Sequence, residues 1–236
     1  YIRMSIRMPE TIEEGINLFG DRRKLPLKPE EFIKKILAGE RDFSYTSLKQ
    51  GCNLSQYDSY HEMNSYLAAQ DLSKEPIILS GVQFPGIIAP GLYMPHVKAD
   101  CAYFGSASLP GANVVHGSFY ASHFDEGSKL YQINASNANF EAADINADLW
   151  LANLAYAVFS SANLRRSLFG KANLFKVVFS NANLMQIMNL EDAENAHTAD
   201  FTRAKVRPET RDYLAKILDH EIKVIIEAEQ TIGRKS

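Results

Sequence analysis

The sequence predicts an all-β solenoid, a chain that winds into a coiled tube. The first observation is a triplet of a small residue, Asn or Asp, and a large apolar residue that recurs in steps of five. The second is the period itself, which fits neither the 3.6 residues of a helical turn nor the two residues of a flat strand. Each unit therefore makes one short side and one corner of the tube. The clearest copies are Ala138 Asn139 Phe140, Ala143 Asp144 Ile145, Ala152 Asn153 Leu154, Ala162 Asn163 Leu164, Ala172 Asn173 Leu174 and Ala182 Asn183 Leu184.

The repeat extends beyond these copies in both directions. Weaker matches at 41–43, 46–48, 52–54, 70–72 and 82–84 place the start of the coil near residue 41. We expect the large residue of each unit to fill the tube and the small residue two positions earlier to leave room for it. Asn and Asp are expected at the corners, where their side chains bond nearby backbone groups. The predicted core is Phe104, Leu109, Phe119, Phe124, Leu130, Phe140, Ile145, Leu149, Leu154, Phe159, Leu164, Phe169, Leu174, Phe179, Leu184 and Phe201.

These triplets resemble the repeats of the pentapeptide-repeat family. The resemblance covers roughly residues 41–205 and is strongest between 100 and 185. It implies a right-handed quadrilateral β-helix with four pentapeptides in each coil, and no enzymatic activity common to the family. At about 20 residues per coil, this segment would make about eight coils. With a strand spacing of about 4.8 Å, the eight coils would form a rod on the order of 40 Å long.

One edge of the tube is predicted to be irregular. The spacing of the large residues is one residue too long at 124–130, one too short at 145–149 and one too long at 184–190. All three slips fall at the same corner. A bulge there either presents a surface to a partner or is tolerated without a function. Between about 55 and 98 the repeat is looser and several prolines interrupt it, so we expect distorted coils or a loop in that segment.

The two open ends of a β-helix need covers, and both flanks of the repeat are predicted to be helical. After Pro29, apolar residues at 32, 33, 36 and 37 followed by Gly39 predict a capping helix that completes an N-terminal arm, residues 1–40. Pro208 opens an apolar stripe that predicts a second helix to about residue 229, near Phe201. Residues 206–236 would form this C-terminal capping helix and a tail, and a homodimer contact through the helix is an alternative role.

The composition fits one continuous domain. The chain has 236 residues, 46% of them hydrophobic and 22% charged. No apolar run approaches the roughly 18 residues of a membrane span, and the first residues lack the apolar segment of a signal peptide. We therefore expect a cytoplasmic protein without membrane contact, although a leader removed ahead of Tyr1 is an alternative. Cys52 and Cys101 are expected to be reduced thiols in different coils.

The sequence predicts no catalytic residue, cofactor or metal site. It contains no glycine pattern for nucleotide phosphates, no nucleophile elbow and no paired cysteines with zinc-site spacing. His116, His123 and His197 fall on outward positions. One alternative is a β-helix enzyme that acts on carbohydrate with clustered carboxylates and a base. Its candidate residues would be Asp58, Tyr60, His61, Glu62, His96 and Asp100, but the narrow tube offers no long loops to form a cleft.

A second alternative comes from the resemblance, because some pentapeptide-repeat proteins resemble duplex DNA and bind type II topoisomerases. A DNA-mimic modulator of gyrase needs negative charge along the rod. Residues 100–205 contain ten acidic and seven basic residues, an excess of only three. Direct binding of nucleic acid is also not expected, since the net charge is −3 and the basic residues form no stripe.

What remains is a structural or protein-interaction module whose partner the sequence does not identify. Outward apolar residues form its candidate surface. One face is predicted to present Tyr131, Trp150, Leu151 and Leu168, and the adjoining face Tyr156 and Phe175. Such residues form either a binding patch or ladders between neighbouring coils. Tyr156 is also predicted to pair with Lys176 as ring and cation.

Overall fold

The computed structural model describes residues 26–218 and the backbone of residues 225–226. Most of the described chain is turns and single bridges rather than long elements. The helices are α1 (Pro29–Leu37), α2 (Ser59–Ala68) and α3 (Pro208–Ile217), with short 3₁₀ turns at Leu54–Gln56, Leu190–Asp192 and Ala196–Thr198. The strands are β1 (His123–Lys129), β2 (Asp144–Asp148), β3 (Lys205–Val206) and β4 (Ile225–Ile226).

The chain winds into stacked coils of about twenty residues. Parallel bridges join positions one coil apart, as between Gln83 and Tyr103 or between Asn163 and Asn183. These bridges form columns, and each coil contributes a residue to each of four columns. One column contains eight residues in succession: Ser47, Gln83, Tyr103, His123, Asp144, Asn163, Asn183 and Lys205. Stacking of this kind pairs the backbone of each coil with its neighbours, as the predicted solenoid requires.

Most five-residue units end in a tight turn. In the unit at 84–87, Ile87 donates its backbone N–H to the carbonyl of Phe84 (3.3 Å), and Gly86 has a φ of +63°. This pattern is typical of a type II turn, in which proline is favoured at the second position. Pro85 occupies that position, and the same position is filled by Pro90 and Pro95. The prolines therefore complete corners instead of breaking them.

The expectation of irregular structure over 55–98 is wrong for its second part. Ile78, Gln83, Ile88 and Tyr93 each bridge to the coil above, so the coil is regular from residue 77 onward. The repeat is hard to see there because a large residue often sits two positions early, as at Ile87, where Ala89 holds the regular place. The interruption lies within residues 55–76, where α2 is inserted.

The Asn residues of the repeat triplets lie in the middle of the sides, not at the corners as expected. Asn153 stands at a bridge position between Asn134 and Asn173. Its Oδ1 accepts bonds from the backbone N–H of Ala155 (3.3 Å) and from Nδ2 of Asn173 (3.2 Å), while its own Nδ2 donates to Oδ1 of Asn134 (3.1 Å). Asn is favoured at this position because its side chain makes two kinds of hydrogen bond. It bonds to the Asn side chains of the neighbouring coils, and it accepts the turn N–H that has no backbone carbonyl as a partner.

The lumen is filled by large apolar side chains. None of the sixteen predicted core residues is more than 5% exposed. One side of the lumen is a column of stacked rings with centroids 4.8–5.5 Å apart: Phe119, Phe140, Phe159, Phe179 and Phe201. Such close stacking of identical rings follows from the coil spacing and gives dense packing in a narrow tube.

Two helices lie against the first coils. In α1, the Phe32 ring packs 4.8 Å from Phe43 and 5.5 Å from Phe84, measured between centroids. Helix α2, which the sequence analysis did not predict, buries Tyr60, Met63 and Leu67. Their spacing of three and four residues is that of one helical face, so a helical pattern was present within the looser segment.

The C-terminal helix is shorter than predicted. Helix α3 ends at Ile217 because Leu218 has extended backbone angles (φ −105°, ψ 126°). Ile225 and Ile226, which were expected to continue the helix, form β4 and pair in parallel with Lys205 and Val206. Adjacent β-branched residues favour this extended conformation. The rest of the predicted arm and tail, 1–25, 219–224 and 227–236, lies outside the described residues.

Candidate interaction face

The predicted irregular edge contains a bulge between β1 and β2. Phe124 pairs with Ile145 and Ser128 pairs with Ala147, so three residues at 125–127 stand opposite the single residue Asn146. Gly127 supports this geometry with a φ of +93°. The extra residues interrupt the regular pairing of this corner with the next coil. The slips in the repeat therefore correspond to a real feature of the surface.

Asp125 fixes the bulge to the coil below it. Its Oδ1 accepts bonds from the backbone N–H and the hydroxyl of Ser106, and its Oδ2 accepts a bond from the Tyr103 hydroxyl (3.0 Å). Burial and the nearby Asp125 charge raise the pKa of Tyr103. Gly105 lies beneath this cluster, where a Cβ would overlap both the Tyr103 hydroxyl and the Asp125 carboxylate. The bulge is therefore held in place by side-chain contacts.

In the next coil the corner is absent and a serine replaces its hydrogen bonds. Strand β2 runs straight from Ile145 to Ala147, where other coils turn. The buried hydroxyl of Ser167 donates to the Ile145 carbonyl (2.9 Å) and accepts from the Ala147 N–H (3.3 Å). These are the groups that a turn would otherwise pair. One side chain thus satisfies the backbone that the one-residue deletion leaves open.

A groove of about 560 Å³ lies beside the bulge. Its floor contains one column of bridge residues, which we call the groove face: Lys129, Asp148, Leu168 and Met188. Met188 is 46% exposed and Leu168 is half-buried. The two columns of bridge residues on either side of the groove face carry mainly polar side chains. The groove face therefore combines exposed apolar surface with charge.

The wall of the groove is polar and mainly basic. Arg166 donates from Nε to Oε1 of Gln186 (3.2 Å), and its guanidinium lies 4.0 Å from the Glu126 carboxylate. Both side chains of that ion pair are exposed, so it contributes little stability. Arg207 also lines the groove. With Lys129 and Asp148 of the groove face, the lining contains three basic and two acidic residues.

The structure places the predicted surface residues in two separate groups. Tyr131 and Trp150 follow the groove face by two residues in the chain, and Leu151 adjoins Trp150 at the same corner. Tyr131 is 36% and Leu151 44% exposed, while the half-buried Trp150 ring lies over Gly170. Leu168 belongs to the groove face itself. Of these four predicted residues, Leu168 lines the groove, and the other three lie at the corner that follows the groove face in the chain.

The remaining two predicted residues form an intramolecular cluster. Tyr156 and Phe175 meet edge to face with ring centroids 5.3 Å apart. The Lys176 ammonium lies 5.8 Å from the Tyr156 centroid and 5.4 Å from that of Phe175, so the predicted ring and cation pair is confirmed. Met188 was missed by the sequence analysis, because the slip at 184–190 obscures which residues there face outward.

Three candidate residues of the carbohydrate-enzyme alternative, Tyr60, His96 and Asp100, have different structural roles in the fold. Tyr60 is buried, which raises its pKa to about 12. The His96 ring stacks on His116 with centroids 5.0 Å apart, and the Asp100 carboxylate accepts the backbone N–H of Tyr120 (3.1 Å). Within the described part of the chain, no group of three His, Cys, Asp or Glu residues is arranged to hold a metal ion.

The two cysteines offer no reactive thiol. Burial is the main factor that raises the pKa of both, and the Asp100 charge contributes at Cys101. Both thiols are free, Cys52 buried and Cys101 half-buried. Since the thiolate is the nucleophilic form, a raised pKa makes each a poor nucleophile at neutral pH.

Several acidic residues of the rod serve the coil itself. Asp144 accepts a bond from Nδ2 of Asn163 (2.8 Å), Asp148 accepts the Trp150 N–H (3.0 Å), and Asp200 accepts both the Ser180 hydroxyl and the Thr202 N–H. They occupy the same bridge positions as the Asn residues. Their structural role accounts for them without an external partner.

Residues 152–187 match the family model of pentapeptide repeats, which counts eight copies. A search of curated proteins returned no significant match. Similar solved structures include a pentapeptide repeat protein from the thylakoid lumen of Arabidopsis thaliana, with 27% identity over 47% of this chain and 72% of that chain (TM-score 0.30).

Two further solved structures are similar over a larger share of the chain. QnrB1, a plasmid-mediated fluoroquinolone resistance protein, shows 15% identity over 76% of this chain and 90% of its own (TM-score 0.37). HetL, a pentapeptide repeat protein involved in heterocyst differentiation regulation in the cyanobacterium Nostoc, shows 14% identity over 77% and 97%, respectively (TM-score 0.25). In the described ranges, no helix is both long and apolar enough to cross a membrane.

Proposed function

We propose that the chain is a pentapeptide-repeat protein and a non-enzymatic interaction module of the cytoplasm, and the match of residues 152–187 to the family model supports this proposal. Its proposed fold is a right-handed quadrilateral β-helix over residues 41–205. The N-terminal part, 1–40, covers one end through α1, and the C-terminal part, 206–236, covers the other through α3. The contacts of Phe32 with Phe43 and Phe84 support the first cover, and the burial of Leu214 supports the second.

The observation that carries this proposal is the groove face. Leu168 and Met188 hold bridge positions beside a bulge and a basic wall, and Met188 is 46% exposed. Burying such apolar surface against a partner is favourable by about 25 cal/mol per Å². The lining has one more basic than acidic residue. We therefore assign the groove to a protein segment that carries an apolar side chain for Leu168 and Met188 and a carboxylate for Arg166.

The experiment compares affinity capture from a lysate of the source organism by three tagged proteins. The first is the wild type, and the second carries Leu168→Glu and Met188→Glu. The third carries Val158→Glu and Val178→Glu, at matching bridge positions on the opposite side of the rod. Circular dichroism and melting temperature establish that each protein is folded before use.

We expect one protein, identified by mass spectrometry, to bind the wild type and the opposite-side variant but not the groove variant. Crosslinking of the purified pair should then map to the groove face. Loss of binding in both variants, or retention in the groove variant, would contradict the proposal. In a gyrase supercoiling assay we expect no effect, and inhibition would favour the DNA-mimic alternative instead.

The predicted homodimer contact through α3 is a separate proposal. Tyr213 and Ile217 of α3 are only half-buried in the single chain, so a second copy has apolar surface to cover. Sedimentation velocity of the wild type and of Ile217→Lys tests it. A dimer lost in the variant supports the contact, and a monomeric wild type rules it out.

A further inference from the structure

The column of stacked rings is interrupted near the N-terminal end of the lumen. Below Phe119 the next two positions of the same column carry Ala99 and Leu79. A methyl group thus stands where the coils above carry a phenyl ring. Val97, two positions before Ala99, is larger than the small residue usual there and fills only part of the missing volume.

A cavity lies in this part of the lumen, beneath α1. The space that the centre of a water molecule can reach inside it is about 30 Å³. Every side chain around it is apolar, and none is more than 7% exposed. The lining residues are Phe32, Leu54, Leu79, Phe84, Ile87, Leu92, Met94, Val97, Phe104, Leu109, Val114 and Phe119.

The cavity has room for a guest but offers it no polar partner. A water molecule fills about 10–15 Å³ and needs two to four hydrogen-bonding groups. The volume suffices, but the lining provides no side-chain donor or acceptor. Cavities of this kind stay dry and take up apolar molecules, because a guest restores the dispersion contacts that the lining lacks.

We infer that the lumen beneath α1 is a binding site for one small apolar molecule of the size of xenon or dioxygen. The site is distinct from the groove face, since the two share no residue. A guest bound there contacts Phe32 of α1 together with residues of the first coils, so it stabilises the junction between helix and coil.

The test uses xenon as the probe and the methyl signals of the folded, full-length protein. In NMR spectra under increasing xenon pressure, we expect saturable shifts of the Ile87, Leu92, Val97 and Val114 methyl signals. In Val97→Ile combined with Val114→Ile, two added methylene groups occupy the space. The shifts should disappear, and the melting temperature should rise.

Val177→Ile is the matched control, because Val177 holds the position of Val97 four coils further along and lies outside the cavity. It should keep the xenon shifts of the wild type and melt at a lower temperature, since its surroundings are already filled. Shifts that do not saturate in the wild type, shifts retained by the double variant, or water signals inside the cavity would overturn the inference. If the double variant is unfolded, the single Val97→Ile variant gives the same comparison.

Discussion

Ser167 provides the sharpest test of how the irregular edge is stabilised. Its buried hydroxyl bonds the Ile145 carbonyl at 2.9 Å and the Ala147 N–H at 3.3 Å. In Ser167→Ala both backbone groups lose their partner, and the residues that carry them, Ile145 and Ala147, are only 1% and 4% exposed. Each unsatisfied buried group costs about 1–3 kcal/mol. Because the 3.3 Å bond is the weaker, we expect a total loss of about 2–4 kcal/mol in the free energy of unfolding.

Ser128 is the matched control, because it holds the same position one coil before Ala147. It is 1% exposed, and its hydroxyl has no hydrogen-bond partner. Ser128→Ala removes an unsatisfied polar atom and should leave stability unchanged or raise it slightly. Urea unfolding followed by circular dichroism measures both variants. Equal losses in the two, or a loss below about 0.5 kcal/mol in Ser167→Ala, would refute the reasoning.

Three further predictions concern the core, the inserted helix and the aromatic corner. Leu164→Asp places an unpaired charge in the lumen and should cost several kcal/mol, and an unchanged melting curve would show that Leu164 does not face inward. The pKa of Tyr60 is raised from about 10 to about 12 in the folded state, so its contribution is present below pH 10 and lost as the pH rises through 12. In urea unfolding the wild type should therefore lose about 2–3 kcal/mol of stability between pH 8 and a pH above 12, and Tyr60→Phe should not show this loss. In Gly170→Ala the new Cβ overlaps the Trp150 ring, so the emission of this single tryptophan should shift to longer wavelength, and unchanged emission would argue against their contact.

The core could be predicted from the sequence because the lumen imposes one rule on every unit. Leu154, Leu164 and Leu174 recur with a strict period, and in these coils the narrow lumen holds a large side chain at that place and Ala two positions earlier. The position of the irregular edge was also predictable, because a spacing of four or six residues is easily located in a sequence whose large residues otherwise recur every five. Both features depend on spacing along the chain, and that spacing is visible in the sequence itself.

The features that depend on contacts between coils were not predictable in the same way. Asn153 was expected at a corner, because the ladder that holds it at a bridge is seen only when coils are stacked. The hydrogen bonds of Ser167 depend on a deletion one coil earlier. Met188 enters the groove face only after the slip at 184–190 is placed in three dimensions. Helix α2 was not predicted because its buried face, Tyr60, Met63 and Leu67, is short and lies inside a segment that interrupts the five-residue repeat.

In this fold the chain climbs by one strand spacing with every coil. Spin labels placed at outward bridge positions of one column measure this climb directly by electron paramagnetic resonance. Gln83 and Asn163 are four coils apart, and Gln83 and Asn183 are five coils apart. We predict separations of about 19 and about 24 Å, which differ by one strand spacing of about 4.8 Å. Equal separations, or a larger one for the pair that is closer in the chain, would contradict the coil.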